Sequence, residues 1–521
     1  MEIEKMGTIG IFAIFLSSSL CLYFVSALLR FVHKLWWNPI RIQHQMRLQG
    51  ITGPSYRFLH GNDNDILNMK SEAKNRPMGL SHDMMSKVQP HIHSWVNKYG
   101  KIYLQWHGTQ PQLVITEPQL IKEVLNNRGS AYPKEEAKGF MKRLFGDGLS
   151  VSEGEKWTKM KKLATHAFHA ESLKNMIPTV IRSVEDMLER WKHQEGKEIE
   201  IFEEFRVFTS EVISKTAFGS SYVEGKNIFQ MLRKLASITA DNGYLHRFPG
   251  ISKIYKTNDE IESEELEEGI RQSIFEMIKK REMKVTTREV GSSTEEDFLE
   301  ILLKAHHDAN PSRKISVQDM VDECKTFYIA GQETTTTLLA WTLFLLAIHP
   351  DWQEKARKEV LEIFGQQNPN PDGIPKLKTM SMIINESLRL YTPALSIMRK
   401  VERESRLGKL ILPANLLVYI APLAIHHDPQ IWGEDVHLFK PERFSEGVAK
   451  ATNNNIAAFF PFGMGPRICV GMNFATNEAK IALSMILQRF AVTLSPTYVH
   501  SPIQNFTLRP QHGIQVLLHS L

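Results

Sequence analysis

Cysteine is scarce in this sequence, and the excess of positive charge is small. The 521 residues include three cysteines, Cys21, Cys324 and Cys469, and 63 Lys and Arg against 58 Asp and Glu. Cysteines so few and so far apart exclude a disulfide framework and fit a reducing compartment. A net charge of +5 is too small to indicate nucleic-acid binding. The length is sufficient to bury a large hydrophobic core.

Charged side chains are absent from one stretch near the N-terminus. No residue from Met6 to Leu29 is charged, and such a stretch is long enough to cross about 30 Å of hydrocarbon. Basic residues follow it, so the positive-inside rule places the body of the protein in the cytosol. We therefore predict a single-pass membrane anchor at residues 1–30. A cleaved signal peptide, with "VSA" at 25–27 as its cleavage site, is the alternative, but the acidic start and the basic residues that follow count against it.

The sequence after the anchor is mainly helical in pattern, with a minor β-sheet region. Residues 31–62 are predicted to be a basic linker with Pro and Gly, and residues 63–521 to be one folded body. Alternation around the "GTQP" turn at residues 101–116 predicts a β-hairpin. The polar residues 286–297 predict an exposed loop rather than a domain boundary.

Two helices are predicted from their end signals. The first begins near Ser316, where Asp319 completes a capping-box-like pair. It ends at about Ile348, because Pro350 cannot continue a helix. The second follows Gly471, where the run "MNFATNEAKIALSMILQRF" has one apolar face.

The loop before that last helix, "FPFGMGPRICVG" at residues 460–471, surrounds one cysteine with three glycines and an arginine. Backbone N–H donors and a helix N-terminus favour a thiolate, and Gly463, Gly465 and Gly471 leave the backbone open to approach the sulfur of Cys469. A dinucleotide fingerprint is excluded because Ile468 stands at the third glycine position. A nucleophile paired with a histidine stays open, with His426 and His427 as the candidate bases.

The same loop carries a resemblance to a known family. "FGMGPRICVG" from Phe462 to Gly471 satisfies F-x-x-G-x-R-x-C-x-G, the haem loop of cytochromes P450. The chain resembles a microsomal cytochrome P450, and more narrowly the plant clan conventionally numbered seventy-two. The resemblance implies the P450 fold for residues 63–521, an endoplasmic reticulum location for the anchor, and Cys469 as the axial thiolate of haem b iron.

Further motifs follow in the order that the family requires. Glu386 and Arg389 share a helix face, and "FKPERF" supplies Arg443. The resemblance implies that these three charges lock together beneath the haem loop. "AGQETT" resembles the family's oxygen-activation stretch, which implies that Glu333 and Thr334 deliver protons for catalysis.

Haem propionates require cations and hydrogen-bond donors. The resemblance assigns this role to Arg467, to Arg399, and to Trp157 in a W-x-x-x-K sequence, where Lys161 replaces the usual arginine and keeps the charge without the planar fork. The remaining positions that the resemblance assigns to cofactor binding are Phe462, Gly463 and Gly465. His166 and His169 in the same helix are ascribed to its surface or core rather than to a metal site.

The partners are inferred from charge and from absent motifs. Lysines crowd the Trp157 helix, which favours docking of an acidic electron donor, and no nicotinamide or flavin motif is present. The resemblance implies NADPH–cytochrome P450 reductase as donor and a small lipophilic substrate: a terpenoid, a gibberellin-like or other hormone, or a xenobiotic. The pocket is placed around residues 132–149, 240–250, 392–398 and 501–506, and residues 247–255 are expected to dip into the membrane.

Three other functions are weighed against monooxygenation. A P450-type isomerase or dehydratase that uses no external oxygen would not need the Glu333–Thr334 pair. A haem-binding protein without turnover would not accept electrons from a reductase and form an oxygen-dependent product. A cysteine hydrolase would bind no haem at all.

Overall fold

A computed structural model describes residues 2–127, 131–243, 256–286 and 296–521. The first helix, α1, covers Glu2–Val32 and continues through a π-helical turn, His33–Trp37, into α2, Asn38–Leu48. Within the described residues, the stretch Ile14–Leu48 is the single helix long and apolar enough to cross a membrane. Helix therefore extends well into the predicted linker. The division at residues 30 and 62 stays a prediction.

Helices build most of the body. In chain order they are α3 Asp63–Asn75, α4 Met85–Val88, α5 Pro90–Tyr99, α6 Pro118–Leu125, α7 Gly139–Phe145, α8 Gly154–Ala167, α9 Ala170–Lys192, α10 Ile201–Phe218, α11 Tyr222–Asn242, α12 Asn258–Thr286, α13 Phe298–His306, α14 Val317–Ile348, α15 Pro350–Phe364, α16 Lys378–Leu390, α17 Pro422–His426, α18 Pro429–Trp432, α19 Val448–Ala451 and α20 Met472–Leu487.

The strands are short and lie at the margins of the helical body. They are β1 Ile102–His107, β2 Gln110–Ile115, β3 Glu198–Glu200, β4 Ile397–Lys400, β5 Ser405–Leu407, β6 Leu410–Leu412, β7 Leu417–Ile420, β8 Phe490–Leu494, β9 Pro502–Asn505, β10 Thr507–Pro510 and β11 Gln515–Ser520.

These strands form four small sheets in the described part of the chain. The largest has the order β1-β2-β7-β4, with β2 and β7 parallel and the other pairs antiparallel. A second sheet has the order β3-β11-β8, and β5–β6 and β9–β10 are two-stranded hairpins. The prediction of a mainly α fold with a minor sheet is confirmed, as is the hairpin at residues 101–116.

The long helix α14 is the axis of the core. Its N-terminus carries the predicted capping box: Ser316 Oγ accepts from the Asp319 N–H at 3.0 Å, and Asp319 Oδ2 accepts from the Ser316 N–H at 2.9 Å. Its C-terminus precedes Pro350, as predicted. Helices α10, α16 and α20 pack around it, which explains why it is buried along almost its whole length.

Some predicted segments lie outside the described residues. These are most of the polar loop, residues 287–295, and residues 244–255, which include the segment expected to dip into the membrane and part of the expected pocket.

Candidate functional site

The cysteine loop is held in shape by its backbone. The Cys469 N–H donates to the Phe462 carbonyl at 2.9 Å, which closes the loop into a compact turn. Gly463 and Gly465 have φ values of 74° and 70°, in the left-handed region that favours glycine. A side chain at Gly465 would also collide with the Leu125 carbonyl oxygen. These two glycines are therefore required by geometry.

The Cys469 thiol lies where protein surrounds it, yet it stays accessible. Burial raises the pKa of the Cys469 thiol, and a hydrogen bond from the Gly471 N–H acts in the opposite direction. The residue is nevertheless classed among the exposed cysteines. Both observations hold for a thiol that opens into an interior space. Of the three glycines, Gly471 donates its backbone N–H to the sulfur.

A second set of interior positions lies in the middle of α14. Between Met320 and Ala347 every residue is buried except Ala330, Gly331 and Thr334. These three share one face, because positions i, i+1 and i+4 are neighbours on a helix. The Thr334 hydroxyl donates to the Ala330 carbonyl at 2.7 Å. The middle of α14 therefore presents a small, partly polar face to an interior space.

Gly331 has a packing role that the sequence did not indicate. A Cβ at Gly331 would lie 2.8 Å from two carbon atoms of the Ile213 side chain in α10. The glycine thus permits α10 and α14 to approach closely, and Ala330 is the residue that opens toward the interior space.

Aromatic rings connect the cysteine loop to α14. The Phe474 ring, at the start of α20, lies 5.6 Å from the Phe168 ring. Phe168 in turn stacks on Phe327 of α14 at 5.4 Å. Ring contacts at these distances stabilise a fixed arrangement. Phe474 is close in sequence to Cys469, and Phe327 is close to Ala330. The three rings therefore hold Cys469 and Ala330 on elements of one rigid core.

Three charged residues form the lock predicted beneath the loop. Glu386 and Arg389 are fully buried, and Arg389 donates to both carboxylate oxygens, at 2.8 and 2.7 Å. Arg443 Nε lies 3.5 Å from Glu386 Oε1. We call Glu386, Arg389 and Arg443 the lock. Its arrangement agrees with the prediction.

The lock has further partners that the sequence did not reveal. Arg443 Nη2 pairs with the Asp435 carboxylate at 2.7 Å. Hydrogen bonds from Lys440 and then from Arg443 lower the pKa of Asp435 to about 2. The Lys440 N–H donates to Glu386 Oε1 at 3.0 Å. Every member of the lock is therefore paired within the chain.

A second group of cations lies on the other side of the loop. The Arg467 guanidinium is centred 4.0 Å from the Trp157 ring, and the Lys161 ammonium lies 5.0 Å from the same ring. Lys161 also donates to the Pro466 carbonyl. Arg399 on β4 is buried and donates to its neighbour's carbonyl at 2.8 Å. The structure thus brings Trp157, Lys161, Arg399 and Arg467 together, as predicted.

Lys134 joins this group without a sequence signal of its own beyond its place in the expected pocket. Burial and the charges of Arg399 and Arg467 lower the pKa of Lys134 to about 7. Burial and the charge of Arg467 lower the pKa of Arg399 to about 10. We call Lys134, Lys161, Arg399 and Arg467 the cation cluster.

The cation cluster is not neutralised by the chain. Among the described residues, its single close carboxylate is that of Glu153, which pairs with Arg467 and accepts from the Lys134 backbone N–H at 2.6 Å. Arg467 Nη1 is buried and has no hydrogen-bond partner, and the Trp157 indole N–H has none within the described residues. The cluster is suited to bind an anionic ligand with more than one carboxylate.

Glu333 is directed away from the interior face of α14. Its carboxylate is buried and pairs with Arg509 of β10, whose Nε donates to Oε2 at 3.1 Å. Thr334, one residue on, belongs to the interior face. The predicted acid–alcohol pair is therefore adjacent in sequence, with the acid held by a C-terminal strand.

The histidines that the sequence raised as alternatives serve other contacts. His426 Nε2 accepts from the Phe460 N–H at 3.3 Å, and His427 Nε2 donates to the Leu390 carbonyl at 2.9 Å. His166 and His169 are exposed and stacked at 5.5 Å. Within the described residues no group of three metal-binding side chains occurs. Nothing in this geometry activates Cys469 as a hydrolytic nucleophile.

Comparison with known proteins decides the family. The cytochrome P450 family model matches residues 78–518. The chain belongs to the cytochrome P450 family. It is 58% identical over 97% of its length, and 97% of the relative's, to cytochrome P450 CYP749A22 of Panax ginseng. Members named in the 72A group match at 39–41% identity. The resemblance to the plant clan numbered seventy-two is thereby confirmed.

Two further relatives have names that state a reaction. The chain is 42% identical to an 11-oxo-beta-amyrin 30-oxidase of Glycyrrhiza uralensis, over 94% of this chain and 95% of the relative. It is 39% identical to a 7-deoxyloganic acid hydroxylase of Catharanthus roseus, over 98% of each chain. The chain is accordingly a P450 monooxygenase.

Haem fits the residues that this P450 presents. The family implies an iron porphyrin bound through a cysteine thiolate. Cys469 offers one accessible sulfur, and a bound metal cation would deprotonate it despite the raised thiol pKa. The cation cluster offers unpaired N–H donors for two propionates. The donor set therefore agrees with haem in both chemistry and charge.

The outer surface beside the haem loop is a basic groove. A cavity of about 2090 Å³ runs along α8 from Gly465, Pro466 and Arg467 to Lys304 and Arg313, and it includes neither Cys469 nor Thr334. Of the α8 lysines, Lys156 is paired with Asp147 and Asp319, whereas Lys162 is exposed and unpaired among the described residues. The surface is thus basic, with fewer available charges than its sequence indicates.

Proposed function

We propose that this P450 inserts one oxygen atom of O2 into a small lipophilic substrate of terpenoid type at the endoplasmic reticulum membrane, with electrons from NADPH–cytochrome P450 reductase. The observation that carries the proposal is the accessible Cys469 thiol beside a cation cluster that the chain leaves unneutralised. A thiol and unpaired cations together suit a metal held by an anionic macrocycle. A cysteine hydrolase would in addition need a base beside the thiol, and His426 and His427 make other contacts.

The proposed cofactor is haem b. Cys469 would be its axial ligand, and Arg467, Arg399, Lys161 and Trp157 would hold its propionates. The loop positions Phe462, Gly463 and Gly465 would shape its thiolate side. When bound, the haem supplies oxygen activation at an iron whose thiolate ligand favours O–O cleavage.

Proton delivery is assigned to α14. The Thr334 hydroxyl lies on the interior face, and its bond to the Ala330 carbonyl fixes its position at 2.7 Å. Glu333 is the adjacent acid, buried and ion-paired with Arg509. An acid held on one face of a helix and an alcohol on the next face can relay protons inward through water.

Electrons must come from a partner protein. The basic groove along α8 is the surface proposed to receive an acidic reductase, because opposite charge steers association. The exposed Lys162, Lys304 and Arg313 line it. With α1 as a single-pass anchor, the groove would lie in the cytosol, where such a reductase is available.

The substrate class rests on the pocket wall and on the relatives. Ala394, Ile397 and Met398 before and in β4 are exposed or half-buried, whereas Leu395 is buried in the core. Small or apolar side chains in this segment suit a lipophile. Two relatives are named for oxidation of 11-oxo-beta-amyrin and 7-deoxyloganic acid. We therefore rank a terpenoid before a hormone or a xenobiotic.

The deciding experiment is a reduced, carbon-monoxide difference spectrum of the membrane-expressed protein. A thiolate-type Soret band is expected, and it should be lost in Cys469→Ser and kept in the control Cys21→Ser. No haem band in well-folded protein would overturn the proposal. A haem band that survives unchanged in Cys469→Ser would refute the ligand.

The substrate is tested on the same preparation. Titration with 11-oxo-beta-amyrin or with 7-deoxyloganic acid should give a spectral shift, because a ligand that enters the pocket displaces water from iron. With reductase and NADPH, an oxygen-dependent hydroxylated product should then form. A shift without any product would favour a binding protein without turnover.

A further inference from the structure

The C-terminal hairpin is attached to one face of the oxygen-side helix. Trp341 Nε1 donates to the Leu508 carbonyl at 3.0 Å, and Thr337 Oγ1 lies 3.4 Å from Thr507 Oγ1. Glu333 pairs with Arg509. The three helix positions are four residues apart and so lie on one face of α14. Strand β10 thus contacts α14 once in each turn, beginning at Glu333.

The contact at Glu333 involves one carboxylate oxygen. Oε2 accepts from Arg509 Nε at 3.1 Å and lies 3.5 Å from Thr507 Oγ1. Oε1 has no hydrogen-bond partner within the described residues. Glu333 also lines a cavity of about 10 Å³, enough for one water molecule, together with Gln332 and Arg233 of α11. One oxygen is thus fixed while the other is left to exchange a proton.

The charges around Glu333 explain what Arg509 does there. A guanidinium is always protonated and favours the ionised form of a neighbouring carboxylate. Glu333 is only 4% exposed, so water cannot perform that task. Arg233 is the other cation near it, and Arg233 lies 3.5 Å from a Glu203 oxygen. Without Arg509, Glu333 would be a buried carboxylate without an ion-pair partner.

The same hairpin reaches the wall of the expected pocket. The Phe506 ring lies 5.9 Å from the Phe145 ring of α7. The Leu508 N–H donates to the Pro393 carbonyl at 3.3 Å, next to the exposed Ala394. A ligand that displaces this wall therefore displaces the strand that carries Arg509.

We propose that Arg509 is a positioning residue for proton delivery, which holds the Glu333 carboxylate by Oε2 and leaves Oε1 to take up a proton from water and pass it toward Thr334. The inference rests on the proposed function of the Glu333–Thr334 pair. Because Arg509 belongs to a hairpin that also contacts the pocket wall, it couples the state of the pocket to the supply of protons.

The first test needs no substrate. Infrared difference spectra of the ferric holoprotein, with Glu333→Gln as the reference, identify the carboxylate band of Glu333. In Arg509→Gln this band should shift in frequency, because Oε2 loses its charged hydrogen-bond donor, and Arg509→Lys should restore most of the difference. The control Arg489→Gln removes an arginine that donates to a backbone carbonyl, and it should leave the band unchanged. A wild-type band position in Arg509→Gln would overturn the inference.

The second test follows NADPH oxidation and hydrogen peroxide release with reductase and no added substrate. Arg509→Gln should raise the peroxide released per NADPH several-fold, as Glu333→Gln should. The double variant should release little more peroxide than either single variant, since both changes remove the same Arg509–Glu333 ion pair. Arg509→Lys keeps the charge, so its peroxide yield should stay near that of wild type. If Arg509→Gln fails to hold haem, Arg509→Met, which also removes the charge and keeps an unbranched side chain, provides the comparison.

The outcomes separate this inference from the proposed function. If Glu333→Gln and Thr334→Ala both leave the peroxide yield unchanged, the proton route itself is refuted and the inference with it. If those two variants raise the yield but Arg509→Gln does not, the route stands and Arg509 has no positioning role. A raised yield together with a shifted Glu333 carboxylate band in Arg509→Gln supports the inference.

Discussion

Two groups of arginines flank the cysteine loop and differ in how completely the chain satisfies them. The lock has one buried carboxylate between two guanidiniums, with further partners in Asp435 and the Lys440 N–H. The cation cluster has four cations and one close carboxylate, Glu153. Arg467 Nη1 in the cation cluster has no hydrogen-bond partner in the described part of the chain, and neither has Arg443 Nε in the lock, but Arg443 Nε lies 3.5 Å from the Glu386 carboxylate.

The difference shows how a structural charge cluster is distinguished from a binding one. Buried ions are stable where every partner is present, so the lock needs nothing from outside the chain. In the cation cluster, burial and then neighbouring positive charges lower the pKa values of Lys134 and Arg399. That repulsion is relieved when an anion binds, which is what a ligand site requires and a structural site avoids.

The largest effect is expected from breaking the lock. Glu386→Gln would leave the fully buried Arg389 without its counter-charge, whereas Arg443 keeps Asp435; the expected cost is about 3–5 kcal/mol in the free energy of unfolding. Little haem-containing protein should accumulate, as measured by the carbon-monoxide spectrum per milligram of protein. Glu442→Gln, an exposed neighbour in the same segment as Arg443, is the control. Normal haem incorporation in Glu386→Gln would show that the lock is dispensable.

Removing one member of the cation cluster should weaken haem binding without destabilising the haem-free protein. Arg467→Gln should weaken haem retention by about 1.5–3 kcal/mol, the value of a charged hydrogen bond. The haem-free protein should be as stable as wild type or more so, because one of several mutually repelling charges is gone. Haem transfer to an acceptor protein and thermal unfolding of the haem-free form measure the two effects.

The control for that comparison is Arg403→Gln, an exposed arginine outside the cation cluster. It should alter neither haem retention nor stability. If Arg467→Gln instead destabilises the haem-free protein as strongly as Glu386→Gln does, the two arginine groups are alike and the distinction between them is wrong.

The sequence predicted features whose signals are local or belong to a family motif. The capping box at Ser316, the hairpin at residues 101–116 and the helix after Gly471 depend on neighbouring residues, and each is confirmed. Cys469 and the lock were identified through motifs in a fixed order. The resemblance thus supplied contacts that periodicity alone does not predict.

The contacts that the sequence missed join residues far apart in the chain. Arg509 and Glu333 are separated by 176 positions, and neither lies in a pattern that indicates the other. Lys134 comes close to Arg399 and Arg467 only in the folded chain, because the three residues lie far apart in sequence. Gly331 lies against Ile213 of α10, a contact between residues that no sequence pattern connects. Such contacts depend on tertiary packing, which local sequence does not encode.

A pH titration sharpens the comparison further. In the haem-free protein the pKa of Lys134 is about 7, against 10.5 when unfolded. The unfolded chain therefore binds more protons between these values, and stability should increase with pH from about 7 to 10.5, by at most about 1.4 kcal/mol per unit. Lys134→Met should flatten this slope. Bound propionates would keep Lys134 protonated, so the stability of the holoprotein should not increase with pH in this way.

Thermal unfolding of the haem-free and holo forms across this pH range provides the measurement. Asp435, which pairs with Arg443 of the lock, should make stability depend on pH in a lower range. The pKa of Asp435 is lowered to about 2, so its contribution is present above pH 3.8 and is lost as the pH falls toward 2. Equal slopes for the haem-free and holo forms above pH 7 would show that Lys134 does not respond to the ligand.

The smallest effect is expected where cations are exposed to solvent, in the groove along α8. Lys162→Glu should slow reduction by the flavoprotein about threefold at low ionic strength, and the difference should vanish at high salt, because surface charges steer association and are screened. Haem content and stability should not change, since Lys162 takes part in neither the lock nor the cation cluster. Lys226→Glu, an exposed lysine on α11, is the control. Equal reduction rates for Lys162→Glu and Lys226→Glu at low salt would place the docking surface elsewhere. A salt-dependent difference would show that the exposed cations along α8, unlike the lock and the cation cluster, act by long-range attraction of the partner and not by direct ion pairs.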